Sequence, residues 1–170
     1  MSKIIDALNT QINKEYYSAY LYLSMSAYFS SVGLPGFASW MRIQAKEEMT
    51  HAAKLYDYVL ARGGKVVLKA VAEPPASWKK PLDVMKAGLE HEKKVTKCFN
   101  DMTDLAVKEK DHAAQIFLSW FVSEQVQEEQ SFGDIVNALT LINGEGQGVL
   151  MLDRELGART FTDETQTAAG

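Results

Sequence analysis

The chain has 170 residues, 46% of them hydrophobic and 24% charged, which excludes a disordered, collagen-like or low-complexity protein. One domain of this length buries enough surface to fold without staples. The net charge is −4 and the bases are scattered or paired, as in Lys79-Lys80 and Lys93-Lys94, so nucleic acid is not an expected partner.

The N-terminal run Met1-Ser2-Lys3-Ile4-Ile5-Asp6 carries charge where a signal peptide needs an apolar core. No stretch approaches the roughly 20 apolar residues that span a bilayer. The lone Cys98 excludes an intrachain disulfide and any four-cysteine zinc or iron–sulfur site, and fits a reducing compartment. A soluble cytoplasmic protein is the expectation, with no membrane partner.

The four prolines lie at positions 35, 74, 75 and 81, leaving long stretches free of helix breakers. A first helix is predicted over about 2–31, with Gly33 as its C′ residue. Pro35 opens a second helix that ends near Arg62, before Gly63-Gly64. Pro81 opens a third, to about Lys110, and Asp111 is placed to cap a fourth that ends near Asn143. A short fifth helix is expected over 147–156. The sequence thus divides into one domain over 1–157 and a polar, small-residue tail over 158–170, expected to be flexible.

Each long segment carries an apolar stripe at 3/4 spacing, the mark of an amphipathic helix in a bundle. Short turns make antiparallel hairpins of helices one and two and of helices three and four. Residues 64–80 form the one long link, able to run the length of the bundle. Two hairpins joined by one long crossover give an all-α four-helix bundle with a short fifth helix.

Every stripe also turns polar near its middle, at Glu15, at Glu48 with His51, at Glu92, and at Gln125 with Glu128. Glu15 and Glu48 are 33 residues apart, as are Glu92 and Gln125 (48 − 15 and 125 − 92). A hairpin brings such residues level, so the repeated offset predicts a pseudo-two-fold site at mid-bundle. Buried carboxylates are very costly unless cations compensate them, and no Lys or Arg lies on the stripes. Metal ions are the expected compensation, and oxygen donors with one imidazole suit iron or manganese. One Glu from each of two helices plus Glu-x-x-His from the others is the ligand scheme of di-iron carboxylate bundles.

The two halves differ. Helix two has Glu48-Met49-Thr50-His51, whereas helix four has Gln125-Val126-Gln127-Glu128. The second half therefore offers an amide, a weaker ligand, and should hold its metal less firmly. Glu47 and Glu124 adjoin the proposed ligands. With Glu128 they either form a further oxygen-only metal position or are ordinary surface carboxylates. Tyr22 lies two turns after Glu15 on the same stripe, placed either to give an electron or hydrogen bond to a ligand or to fill space. His91 and His112 are expected to be structural or solvent-facing.

At these residues the chain resembles a non-haem ferritin of the bacterial type. The matching strings are Asn13-Lys14-Glu15-Tyr16-Tyr17-Ser18-Ala19-Tyr20-Leu21-Tyr22 and Ala45-Lys46-Glu47-Glu48-Met49-Thr50-His51-Ala52. His91-Glu92 and Val122-Ser123-Glu124-Gln125-Val126-Gln127-Glu128-Glu129 complete the match. The resemblance implies a ferritin-like bundle whose ferroxidase centre oxidises Fe(II) with O2 or peroxide. Glu15, Glu48 and His51 would hold the first iron, and Glu48 with Glu92 and Glu128 the second, beside Gln125. Glu47, Glu124 and Glu128 match a third iron position, and Tyr22 matches a tyrosine beside the centre.

The family stores ferric oxyhydroxide inside a hollow shell, typically of 24 copies, and the fifth helix fits that assembly. The acidic three-fold channel of animal-type ferritins falls here on Gln115 and Leu118. Bacterioferritins bind haem through a methionine matching Met49, but they carry a second Glu-x-x-His, so haem is not expected here. A rubrerythrin-like peroxidase would need four cysteines, and a DNA-protecting bundle would leave the mid-bundle carboxylates without a purpose.

Overall fold

The computed structural model describes residues 3–144 and 146–166 and is all-helical among them. The elements are α1 (Lys3–Ser31), α2 (Pro35–Ala61), α3 (Pro81–Lys108), α4 (His112–Leu141) and α5 (Gly146–Gly157), followed by a single 3₁₀ turn at Glu164–Gln166. The expected boundaries hold to within three residues. Local chemistry sets them. After α1 the chain turns at Gly33, whose φ of +78° suits a residue without a Cβ, and Leu34 N–H donates to Phe29 O at 3.0 Å. Pro35 occupies the first turn of α2 and Pro81 that of α3, where a missing N–H costs nothing. Asp111 caps α4 as its position implied, its carboxylate accepting from Ala114 N–H at 3.0 Å.

The packing is a four-helix bundle in which α1 pairs with α2 and α3 with α4, while α1 and α3 meet across the hairpins. The crossover 64–80 has no regular structure and lies along α1. Asn9 donates to Lys65 O and accepts from Val67 N–H, Asn13 donates to Lys69 O and Ala70 O, and Ser24 donates to Pro75 O. These side chains satisfy backbone groups that have no ladder of their own.

Two apolar clusters fill the bundle. One holds Tyr22, Met25, Phe29, Phe37, Met41, Met85, Phe132, Ile135 and Leu139. The other holds Ile5, Leu8, Ile12, Leu55, Val59, Phe99, Leu118 and Phe121. Each fully buried side chain of this size contributes about 1.5–3 kcal/mol. On every long helix the buried glutamates, with His51 and Gln125, fall between the two clusters in sequence. The polar layer is therefore walled by hydrocarbon at both ends, where water cannot replace lost hydration.

α5 folds against the start of α2. Leu34 gives that helix no side-chain cap, and Asp153 of α5 supplies one from a distance, accepting from Phe37 N–H at 2.9 Å. The approach needs Gly36, since a Cβ there would lie 1.6 Å from Asp153 O. In the segment expected to be a flexible tail, residues 158–166 make contacts with α2: Arg159 with Glu47, Lys46 with the Phe161 ring, and Lys54 with Thr165 O. No helix among the described residues is long and apolar enough to cross a membrane.

Candidate metal centre

Glu15, Glu48, His51, Glu92, Gln125 and Glu128 all lie in the polar layer, none more than 5% exposed. The 33-residue offset works as expected: Glu15 and Glu48 are level across the first hairpin, and Gln125 reaches Glu92 across the second. His51 Nδ1 is 3.9 Å from Glu15 Oε2 and 3.7 Å from Glu48 Oε2. None of those three buried atoms has a hydrogen-bond partner. The ligand atoms of this trio lie within 4.8 Å of one another. The His51 ring is wedged edge-on against Trp120 and Phe121, which fixes its direction.

The second half is furnished differently. Tyr22 O–H donates to one oxygen of Glu92. Gln125 Nε2 donates to the other at 2.9 Å, with further contacts to Glu92 O and Thr96 Oγ1. Gln44, fully buried on α2, donates to Glu128 Oε2 at 2.7 Å. Gln44 lies four residues before Glu48, on the same face of α2, but nothing in the sequence names its partner.

Four buried carboxyls with no buried Lys or Arg among them hold their protons tightly. Burial pushes Glu15 up, helped by the charge of Glu48. Burial and then Glu92 push Glu48 up. The same two causes raise Glu128 to about 8. Burial also raises Glu92, and Tyr22 rises well above the ordinary phenol value by burial and by Glu92. Such a layer is stable with protons or with metal cations, and poor as a set of bare anions. The orphaned trio fits a cation that accepts carboxylate oxygen and imidazole nitrogen.

Glu124 and Glu128 form a second group with His51, again within 4.8 Å. Glu47, expected beside them, accepts from Arg159 through both carboxylate oxygens at 2.9 Å each. Arg159 follows the last predicted helix and carries no periodic signal, so no pattern in the chain points to it. His91 stands outside the layer as expected, its Nε2 2.7 Å from Ser18 Oγ, and burial followed by Lys94 lowers it to about 4. His112 is the first residue of α4, and Met49 is half-exposed on α2.

Comparison with known proteins agrees with this geometry. Residues 5–142 match the family model of the ferritin-like domain. The chain is 38% identical over 161 residues to the bacterial non-heme ferritin of Staphylococcus aureus, covering 95% of this chain and 97% of that one. The same identity and coverage relate it to the bacterial non-heme ferritin of Staphylococcus haemolyticus. Among solved structures, an open-pore ferritin from the archaeon Archaeoglobus fulgidus superposes with a TM-score of 0.93 at 51% identity, covering 94% of this chain and 99% of that one. A humanized archaeal ferritin superposes at 0.94 with 48% identity, covering 95% and 98%.

Proposed function

The chain belongs to the ferritin family, and from that premise we propose that it is a ferroxidase that oxidises Fe(II) at the mid-bundle layer and stores the product as ferric oxyhydroxide. The observation that carries this reading is the orphaned trio: Glu15 Oε2, Glu48 Oε2 and His51 Nδ1 are buried without partners at the heart of an otherwise well-packed bundle. Leaving three such atoms unpaired costs several kcal/mol unless protons or a metal cation satisfy them.

Iron is substrate here. Glu15, Glu48 and His51 take one Fe(II). Glu48, Glu92 and Glu128 take a second, with Gln125 beside it. Glu124, Glu128 and Glu47 are assigned to a third, outer position. Loading displaces protons from the raised carboxyls, so uptake strengthens as pH rises. Each Fe(II) gives one electron to O2 or peroxide, and Fe(III) moves on to hydrolyse into the mineral. Tyr22 keeps Glu92 oriented and stands in position to supply an electron. The hydrocarbon clusters keep bulk water from both ends of the layer. The domain over 1–157, a hollow homo-oligomeric shell of 24 copies, a cytoplasmic location and the absence of haem belong to the same proposal.

The test adds several hundred Fe(II) per chain to the aerated metal-free protein, followed by size exclusion. Iron travelling with a soluble shell-sized particle is the expected result. Two or so irons per chain, with the remainder precipitating, would overturn storage and leave a plain di-iron protein.

A further inference from the structure

Among the described tail residues, Arg159 hydrogen-bonds to side chains at the edge of the polar layer, and the charge of Glu164 acts on Glu47 and Glu124. Arg159 donates to both oxygens of Glu47 at 2.9 Å and, through Nη1, to Gln44 Oε1 at 2.5 Å. Its guanidinium lies 5.0 Å from the centre of the Trp40 ring. Gln44 turns the other end of its amide to Glu128. A single cation outside the bundle therefore engages one carboxylate directly and a second through one intervening amide. The pair is partly shielded, with the Arg159 side chain 29% and the Glu47 side chain 15% exposed. Both bonds to Glu47 come from the single nitrogen Nη2, a charge-assisted contact shared between the two carboxylate oxygens. Lys54 to Thr165 O, and Lys46 at the Phe161 ring, hold the following residues against α2.

We infer that Arg159 supplies the protein's own positive charge at the outer position, holding Glu47 away from the metal ion that Glu124 and Glu128 would otherwise share with it. The geometry argues this on two counts. Glu124, Glu128 and His51 already form a compact ligand group, and Glu47 is absent from it. Both oxygens of Glu47 are meanwhile occupied by the guanidinium. A divalent cation that recruits Glu47 must break its contact with Arg159 Nη2. Strap and outer metal ion are then competitors for one carboxylate, and each weakens the other by the same factor. Arg159 is a positioning residue: it limits each chain to the inner pair of metal ions and sets how readily a third binds. The inference rests on the metal centre proposed above.

The test titrates the assembled, metal-free full chain with Co(II), which probes oxygen and nitrogen ligands without being oxidised, and counts bound metal by equilibrium dialysis. The native chain is expected to bind two Co(II) tightly and a third weakly. Arg159→Met, which keeps the stem against Trp40 and removes the charge, is expected to tighten the third by at least about tenfold and leave the first two unchanged. Arg159→Lys keeps the charge and should stay near the native count. Adding Glu47→Gln to Arg159→Met should abolish the gain. Hydrogen–deuterium exchange of residues 158–166 in the native chain supplies an independent readout, with faster exchange expected once the third Co(II) binds. An unchanged third affinity in Arg159→Met, a loss of metal in that variant, or unaltered exchange on loading would each overturn the inference while leaving the inner centre intact. A native chain that binds no Co(II) would overturn the metal centre itself, and this inference with it.

Discussion

The two hairpins contribute the same number of helices to the polar layer but leave its ligands in opposite states. In the α1–α2 half, Glu15 Oε2, Glu48 Oε2 and His51 Nδ1 are buried and unpartnered. In the α3–α4 half, Glu92 receives Tyr22 and Gln125, and Glu128 receives Gln44. One half is left waiting for a cation, and the other is held by neutral donors. The consequence is unequal demand. The first position gains most from metal, because Gln11 reaches only Glu15 Oε1 and no donor reaches Glu15 Oε2 or Glu48 Oε2. At the second, a metal ion must compete with hydrogen bonds already made, which suits a position that fills later and empties sooner.

The largest effect should come from damaging the unpartnered half. Glu48→Gln is expected to lower metal affinity by about 100-fold or more and to abolish rapid Fe(II) oxidation. Removing a carboxyl from the layer should also stabilise the metal-free protein by about 1–3 kcal/mol, seen as a higher melting temperature. That gain should grow with pH. Below about 4.5, Glu128 is protonated both folded and unfolded, and its raised folded pKa makes its full contribution to stability. As pH rises toward 8 the unfolded chain sheds its proton first, so the metal-free fold loses stability across that window. Glu48 is raised by the same causes, so its replacement should flatten the pH dependence of melting.

A more moderate change makes the halves alike. Gln125→Glu places another carboxyl against Glu92 and removes the amide that donates to it. The metal-free protein should lose on the order of 2 kcal/mol, and the second Co(II) should bind about tenfold more tightly in calorimetric titration. The smallest change prunes the neutral donors. Tyr22→Phe removes one of the two hydrogen bonds to Glu92 side-chain oxygens, at an expected cost of about 1–2 kcal/mol in denaturant unfolding. Its effect on metal affinity should stay under about tenfold. A loss as large as that of Glu48→Gln would mean the two halves are not distinguished as described.

The helices and the ligand layer were legible because both are periodic. Apolar 3/4 spacing, Pro35, Pro81, Asp111 and Gly33 mark the ends, and buried acids at equal offsets mark the middle. What stayed hidden depends on single contacts between distant residues. Asp153 caps α2 from 116 positions away, and Arg159 reaches Glu47 across 112. Neither lies on a repeating stripe, and a lone Asp or Arg near a chain end looks like any solvated residue. Gln44 shares the face of Glu48, yet its use in linking Arg159 to Glu128 emerges only when three separate segments are packed together.

The irregular crossover over 64–80 joins the hairpins, and the proposed inner positions draw ligands from both sides of it. Glu48 precedes it, whereas Glu92 and Glu128 follow. A metal ion shared among these side chains would tie together stretches of chain separated by the full crossover. In the chain-entropy account, closing the loop of 44 residues from Glu48 to Glu92 (92 − 48) stabilises a fold by roughly 4 kcal/mol. A protein with one cysteine thus has, in its own cargo, the equivalent of a removable disulfide: loading would staple the hairpins together, and release of iron would return them to the looser grip of hydrocarbon and a few hydrogen bonds such as Tyr22 to Glu92 and Gln44 to Glu128.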